Sequence, residues 1–143
     1  MGFWVRISII MIILLALTSC NAQAPPLNSN QVHIHSHLTI RINGVDQTIP
    51  ADVGLINGKH LALHTHEPDN IIHLEAYNPT PDYFQLKKFF EIWGKKFSKD
   101  CIFDYCTDKG QLTMMVNGVK NDDYEKYVMQ DLDQIVIDYS SSK

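Results

Sequence analysis

The sequence predicts an α+β domain in which one amphipathic helix packs on a mostly antiparallel or mixed sheet. Three observations carry this. Two stretches alternate apolar and polar residues around turn formers, "HIHSHLTIRINGVDQTI" and "LALHTHEPDNIIHLEAY"; one run, "QLKKFFEIWGKKF", has helical spacing; and a closing pair, "QLTMMVNG" and "QIVIDY", alternates again. A period of two reads as strand and a period near 3.6 as helix, so the order is hairpin, hairpin, helix, strand, strand. With 143 residues, 45% of them apolar, the chain suits a single core. The formal charge of -4 comes without basic clusters, which argues against a nucleic-acid binder or a polybasic membrane surface.

The chain opens with "MGFWVR", an apolar run "ISIIMIILLAL" and then "LTSC". The run from Ile7 to Leu17 is shorter than the roughly 20 residues needed to span a bilayer, and the whole resembles a bacterial lipoprotein signal. That resemblance implies cleavage between Ser19 and Cys20 and a diacylglyceryl anchor on the Cys20 thiol. Residues 1–19 are then a signal peptide, the Pro- and Asn-rich 20–31 a flexible tether, and 32–143 a single histidine-rich domain. The expected location is the bacterial envelope, with the membrane as partner through the lipid. Asn21 in place of an inner-membrane retention aspartate favours the periplasmic face of the outer membrane.

From Val32 to Ile42, alternation puts Ile34, Leu38, Ile40 and Ile42 on one face and His33, His35, His37, Thr39 and Arg41 on the other. Asn43-Gly44 is a strong two-residue hairpin signal, because both positions of a type I′ turn need positive φ. Such a turn pairs Ile42 with Val45, Arg41 with Asp46, Ile40 with Gln47, Thr39 with Thr48 and Leu38 with Ile49, with Val45 and Ile49 joining the apolar side. In the second stretch, Leu61 to His66 and Ile71 to Tyr77 are expected as strands joined by Glu67-Pro68-Asp69-Asn70. His66 then lies opposite Ile71 and His64 opposite His73. His64, His66, His73 and Glu75 share one face, and Leu63, Ile72, Leu74 and Ala76 take the other.

Leu86, Phe89, Phe90, Trp93 and Phe97 fall at helical spacing and form the expected core face of the helix. Thr80-Pro81-Asp82 offers a start, although Tyr83-Phe84 also suits extended chain, and Gly94 must sit inside the helix or end it. Residues before Cys101 are expected to be irregular. Once Cys20 carries lipid, Cys101 and Cys106 remain; an oxidising envelope favours a disulfide between them, while the spacing also allows a soft metal pair. In the closing strands Met114 and Met115 face opposite ways and make no methionine site by themselves.

If the two hairpins share a sheet, four to six imidazoles converge with a carboxylate, a ligand set suited to copper or zinc. The candidates are His35, His37, His64, His66 and His73, innermost in their clusters, followed by His33 and Glu75. His60 shares strand parity with His64 but sits beside Gly58-Lys59, a turn signal that equally suits an exposed histidine. The bland alternative is a polar strand face in water.

The segments "HIHSHLTIRINGVDQTIPADVGL", "LHTHEPDNIIHLEAY", "FQLKKFFEIWG", "LTMMVNG" and "DLDQIVIDY" resemble a family of small secreted or membrane-tethered bacterial and archaeal proteins, mostly without assigned function. The likeness spans residues 32–139. It implies roles for His33, His35, His37, His64, His66, His73 and Glu75, and leaves His60 unmatched. Glu67 stands where the pattern has aspartate, and Asn70 where it has glycine. By analogy of element order and of the closing strand pair, a β-grasp-like arrangement is expected. Three functions fit the sequence. The first is a non-catalytic lipoprotein that sequesters, delivers or senses copper or zinc, through a protein partner that the sequence does not identify. The second is a metal-dependent enzyme using a metal-activated water with Glu67 or Glu75 as base. The third is a structural or adhesion lipoprotein with solvated histidines. The sequence lacks His-Glu-x-x-His, so it favours a protein that is not an enzyme.

Overall fold

A computed structural model describes residues 30–142. The expected signal segment 1–19, the expected lipidation site Cys20 and the part of the expected tether up to residue 29 lie outside the described residues. The elements are β1 (Gln31–Ile42), β2 (Val45–Gln47), β3 (Leu55–Ile56), β4 (Lys59–His60), β5 (Leu63–His64), β6 (Ile71–Tyr77), a 3-10 turn (Pro81–Phe84), α1 (Leu86–Trp93), β7 (Phe97–Ser98), β8 (Cys101–Ile102), β9 (Tyr105–Cys106), β10 (Gly110–Val116), β11 (Val119–Lys120), a second 3-10 turn (Tyr124–Lys126) and β12 (Gln134–Ser141). The class is α+β: a mixed sheet with strand order β11-β10-β12-β1-β6-β5, β2 added beside β1, and a single α-helix among the described residues.

β1 is the spine of the sheet. Its first half, Gln31 to His37, pairs antiparallel with β6, and its second half, His37 to Ile42, pairs parallel with β12. Alternation along β1 carries both halves: Leu38, Ile40 and Ile42 are buried, and Ser36 continues that face under the histidines, donating its hydroxyl to the Gln130 carbonyl at 2.8 Å. These residues join Ile72 and Leu74 of β6, Met114 of β10, and Ile135 and Ile137 of β12 in one core with Leu86, Phe89 and Phe90 of α1.

Both expected hairpin registers are found. Asn43 and Gly44 have φ of 52° and 80°, and Ile42, Arg41 and Ile40 oppose Val45, Asp46 and Gln47. His64 opposes His73, with Asn70 in the left-handed region at φ 66°, a conformation that Asn tolerates. Several details differ. β2 ends at Gln47, so Thr39 and Thr48 do not pair, nor do Leu38 and Ile49; Leu38 N–H instead donates to the Asn70 carbonyl at 2.9 Å. Pro50, without an N–H, cannot extend a ladder there. Ile49 is buried all the same, but Val45 is 63% exposed, since it lies at the hairpin tip beyond the core. The ladder of β5 covers only Leu63 and His64 of the expected Leu61–His66.

α1 stops at Gly94, whose φ of 70° admits a left-handed cap. Gly94 N–H donates to the Glu91 carbonyl and Lys95 N–H to the Phe90 carbonyl, closing the last turn. Phe97 therefore lies beyond the helix, on β7, and still reaches the core by stacking on Phe90 at 4.6 Å between ring centroids. The chain before Cys101 is not irregular: β7, β8 and β9 form a small antiparallel sheet in which Cys101 opposes Cys106, and a disulfide joins the two. No described helix is long and apolar enough to cross a membrane.

Phe89 is fully buried where the helix meets the core. Truncation of a buried phenylalanine costs about 3–5 kcal/mol, so Phe89→Ala should lower the urea midpoint by a corresponding amount, with the slope of the transition unchanged.

Candidate metal centre

The site is built by three adjacent strands. In antiparallel register, His35 of β1 opposes His73 of β6, which on its other side opposes His64 of β5. One row of the sheet therefore carries three imidazoles on one face, because residues directly opposite each other project the same way. The next row places His33 opposite Glu75, with His33 Nε2 at 3.2 Å from Glu75 Oε1.

Two further histidines close on this row from the β5 side. His66 follows His64 by two residues; Thr65 between them turns inward, donating its hydroxyl to the Pro50 carbonyl at 2.8 Å and accepting the Val53 N–H at 3.1 Å. Thr65 N–H also donates to the Val53 carbonyl, which ties the segment bearing both histidines to the chain at 50–53. Gly54 sits hard against this strand: a Cβ there would lie 2.4 Å from the Leu63 carbonyl oxygen. His60 arrives on β4, turned back by Asn57-Gly58, and its ring stacks on His64 with centroids 4.3 Å apart. It also meets His66 edge-on at 4.6 Å.

The result is a continuous chain of six imidazoles. Centroid separations run 4.9 Å from His33 to His35, 4.6 Å from His35 to His73, 4.4 Å from His73 to His66, 5.3 Å from His73 to His64 and 4.8 Å from His64 to His66. Within it, three groups have all their ligand atoms within 4.8 Å of one another: His33, His35 and His73; His60, His64 and His66; and His64, His73 and Glu75. These groups could hold a metal ion. His64 is fully buried, and its Nδ1 lies 2.8 Å from the Leu61 carbonyl. A carbonyl only accepts, so Nδ1 carries the hydrogen and Nε2 is the unprotonated nitrogen, the tautomer commonly imposed on a ligating imidazole. His64 Nε2 lies 3.2 Å from His66 Nε2. Two nitrogens bound to one tetrahedral ion at about 2.0–2.1 Å are roughly 3.3 Å apart, so this pair already has the spacing of two ligands.

The structure brings together His33, His35, His64, His66, His73 and Glu75. It does not bring in His37, which is exposed opposite Ile71 and belongs to none of the three groups. Glu67, in the turn, is exposed and also outside them. Cys101 and Cys106 are spent in their disulfide and offer no thiolate. His60 is the residue that sequence reasoning undervalued. The usable signal is its strand parity with His64; the turn signalled at Gly58-Lys59, which equally suits an exposed histidine, is made by Asn57 and Gly58 and folds His60 back. The array faces solvent on its outer side and is fixed beneath by β1, whose His35 N–H donates to Asp131 Oδ1 at 3.0 Å and whose His35 carbonyl accepts from Leu132 N–H at 2.7 Å.

A scan against protein-family models, a search of curated proteins and a search of solved structures each return no match for this chain.

Burial, followed by the neighbouring His66, His35 and His64, pushes His73 down to about 4, and burial chiefly lowers His64 as well. An unfolded chain takes up the His73 proton near pH 6.5, whereas the folded, metal-free protein resists until about pH 4. Between those values the unfolded state binds more protons, so stability falls as the pH falls and this loss ends below about pH 4. Urea midpoints of the metal-free protein should therefore hold steady above neutrality and decline through this window, and His73→Gln should flatten the decline.

Proposed function

We propose that this protein is an envelope lipoprotein that binds copper or zinc through its histidine array, to sequester, deliver or sense the ion. The observation that carries the reading is the row His35–His73–His64 across three paired strands, extended at one end by His33 and Glu75 and at the other by His60 and His66. Neutral imidazoles with one carboxylate match the borderline character of these two metals better than the oxygen-rich sets that suit calcium or magnesium. The lowered proton affinity of His73 and His64 keeps their lone pairs available at neutral pH.

The anchor and the envelope location rest on the likeness of the first 20 residues to a lipoprotein signal. The family likeness of residues 32–139 is proposed on the same footing. A β-grasp-like description of the fold draws support from the parallel pairing of β1 with β12 between β2 on one side and β10 on the other. Should the centre prove catalytic, Glu75 rather than Glu67 is the carboxylate within reach of the ligands.

Full-length protein purified without chelators should carry copper or zinc, and after stripping it should rebind either ion at submicromolar free concentration. His73→Gln should weaken binding by at least about tenfold, the scale already produced by losing an outer partner of a ligand. A stripped protein that takes up neither ion would contradict the proposal and leave solvated histidines as the better reading.

A further inference from the structure

The number of donors exceeds what one ion can use. Six imidazoles and a carboxylate lie in one contiguous array, whereas copper and zinc held by histidine are commonly four-coordinate. The grouping of those donors is informative. His33, His35 and His73 share no member with His60, His64 and His66, so both sets can be filled at once. The third group, His64, His73 and Glu75, takes one histidine from each set and adds the carboxylate. Glu75 Oε1 is 3.2 Å from His33 Nε2 in the first set, and a Glu75 oxygen lies within 4.8 Å of a ligand nitrogen of His64 in the second. Where the sets meet, the rings of His64 and His73 stack with centroids 5.3 Å apart.

We infer that the centre is dinuclear: one ion on His33, His35 and His73, a second on His60, His64 and His66, with the Glu75 carboxylate between them. This rests on the metal-binding reading and deepens it. Each half supplies three imidazoles, leaving one position per ion for Glu75 or for water. A single carboxylate between two divalent ions offsets part of their mutual repulsion, so the halves fill in sequence, the second more weakly than the first. The arrangement also gives His60, a residue that sequence reasoning set aside, a definite role as the outermost ligand of the second ion.

The test is a titration of stripped full-length protein with Cu(II), followed by equilibrium dialysis, metal analysis and electron paramagnetic resonance. Wild type should retain two equivalents, with dipolar broadening and a half-field transition between neighbouring Cu(II) ions. His60→Gln and His33→Gln alter exposed side chains on opposite halves. Each should retain one equivalent with an isolated-ion spectrum, with the urea midpoint of the stripped protein reporting that the fold is intact. Glu75→Gln should leave each half its three imidazoles while weakening the second equivalent several-fold. A wild type that saturates at one equivalent overturns the dinuclear inference while leaving metal binding intact. Two equivalents without magnetic coupling, or a variant that keeps or loses both, overturns the assignment of the halves. No retained copper overturns this inference, and no retained zinc in the same dialysis would overturn the underlying reading as well.

Discussion

The antiparallel pairing of β1 with β6 is the constraint on which the rest of the molecule depends. Side-chain direction in a strand has a period of two, so one register decides both faces together. With Leu74 opposite Ile34 and Ile72 opposite Ser36, the inner face closes over the core; with His73 opposite His35 and Glu75 opposite His33, the outer face gathers donors. A slip of one residue would expose Leu74 and Ile72 and bury imidazoles in their place. The core therefore helps to specify the site: the cost of misplacing apolar residues holds the histidines in register.

The surrounding chain reinforces that register from both sides. Segment 130–133 runs along the edge of β1 opposite β6, held by the carboxylate of Asp133, which is nearly buried and accepts from the Tyr127 hydroxyl at 2.7 Å, the Gln130 N–H at 2.7 Å and Asn117 Nδ2 at 2.9 Å. On the far side, Thr65 and Gly54 fix β5 against the chain that leads into β3. Three separate parts of the sequence thus converge on one strip of sheet. Such rigid support is what a coordination site requires, since ligands held by packed strands lose little freedom when an ion arrives.

Much of this was legible in local pattern. Strict alternation in "HIHSHLTIRI" and "IIHLEAY", with Asn-Gly and Glu-Pro-Asp-Asn as turns, fixed which residues face together and that His64 opposes His73. What local pattern does not encode is pairing between segments far apart in sequence. The parallel union of β1 with β12 and the junction of β1 with β6 are set by tertiary packing. His60 and His37 show the limit most clearly. Their strand parity is equally good, yet a tight turn brings His60 onto His64, while His37, on the row of Ile71, is left outside the groups. Val45 and Phe97 depart from the pattern for a related reason: alternation and helical spacing each continue in the sequence past the point where the structure ends them, at a hairpin tip and at Gly94.

A metal centre on this face of the sheet would be visible by anomalous diffraction at the copper or zinc absorption edge, from crystals of full-length protein grown with the ion. Anomalous peaks are expected bounded by ring nitrogens of His64 and His73 and their neighbours. Peaks confined to other surface residues, with these imidazoles unligated in the loaded crystal, would contradict a metal centre here.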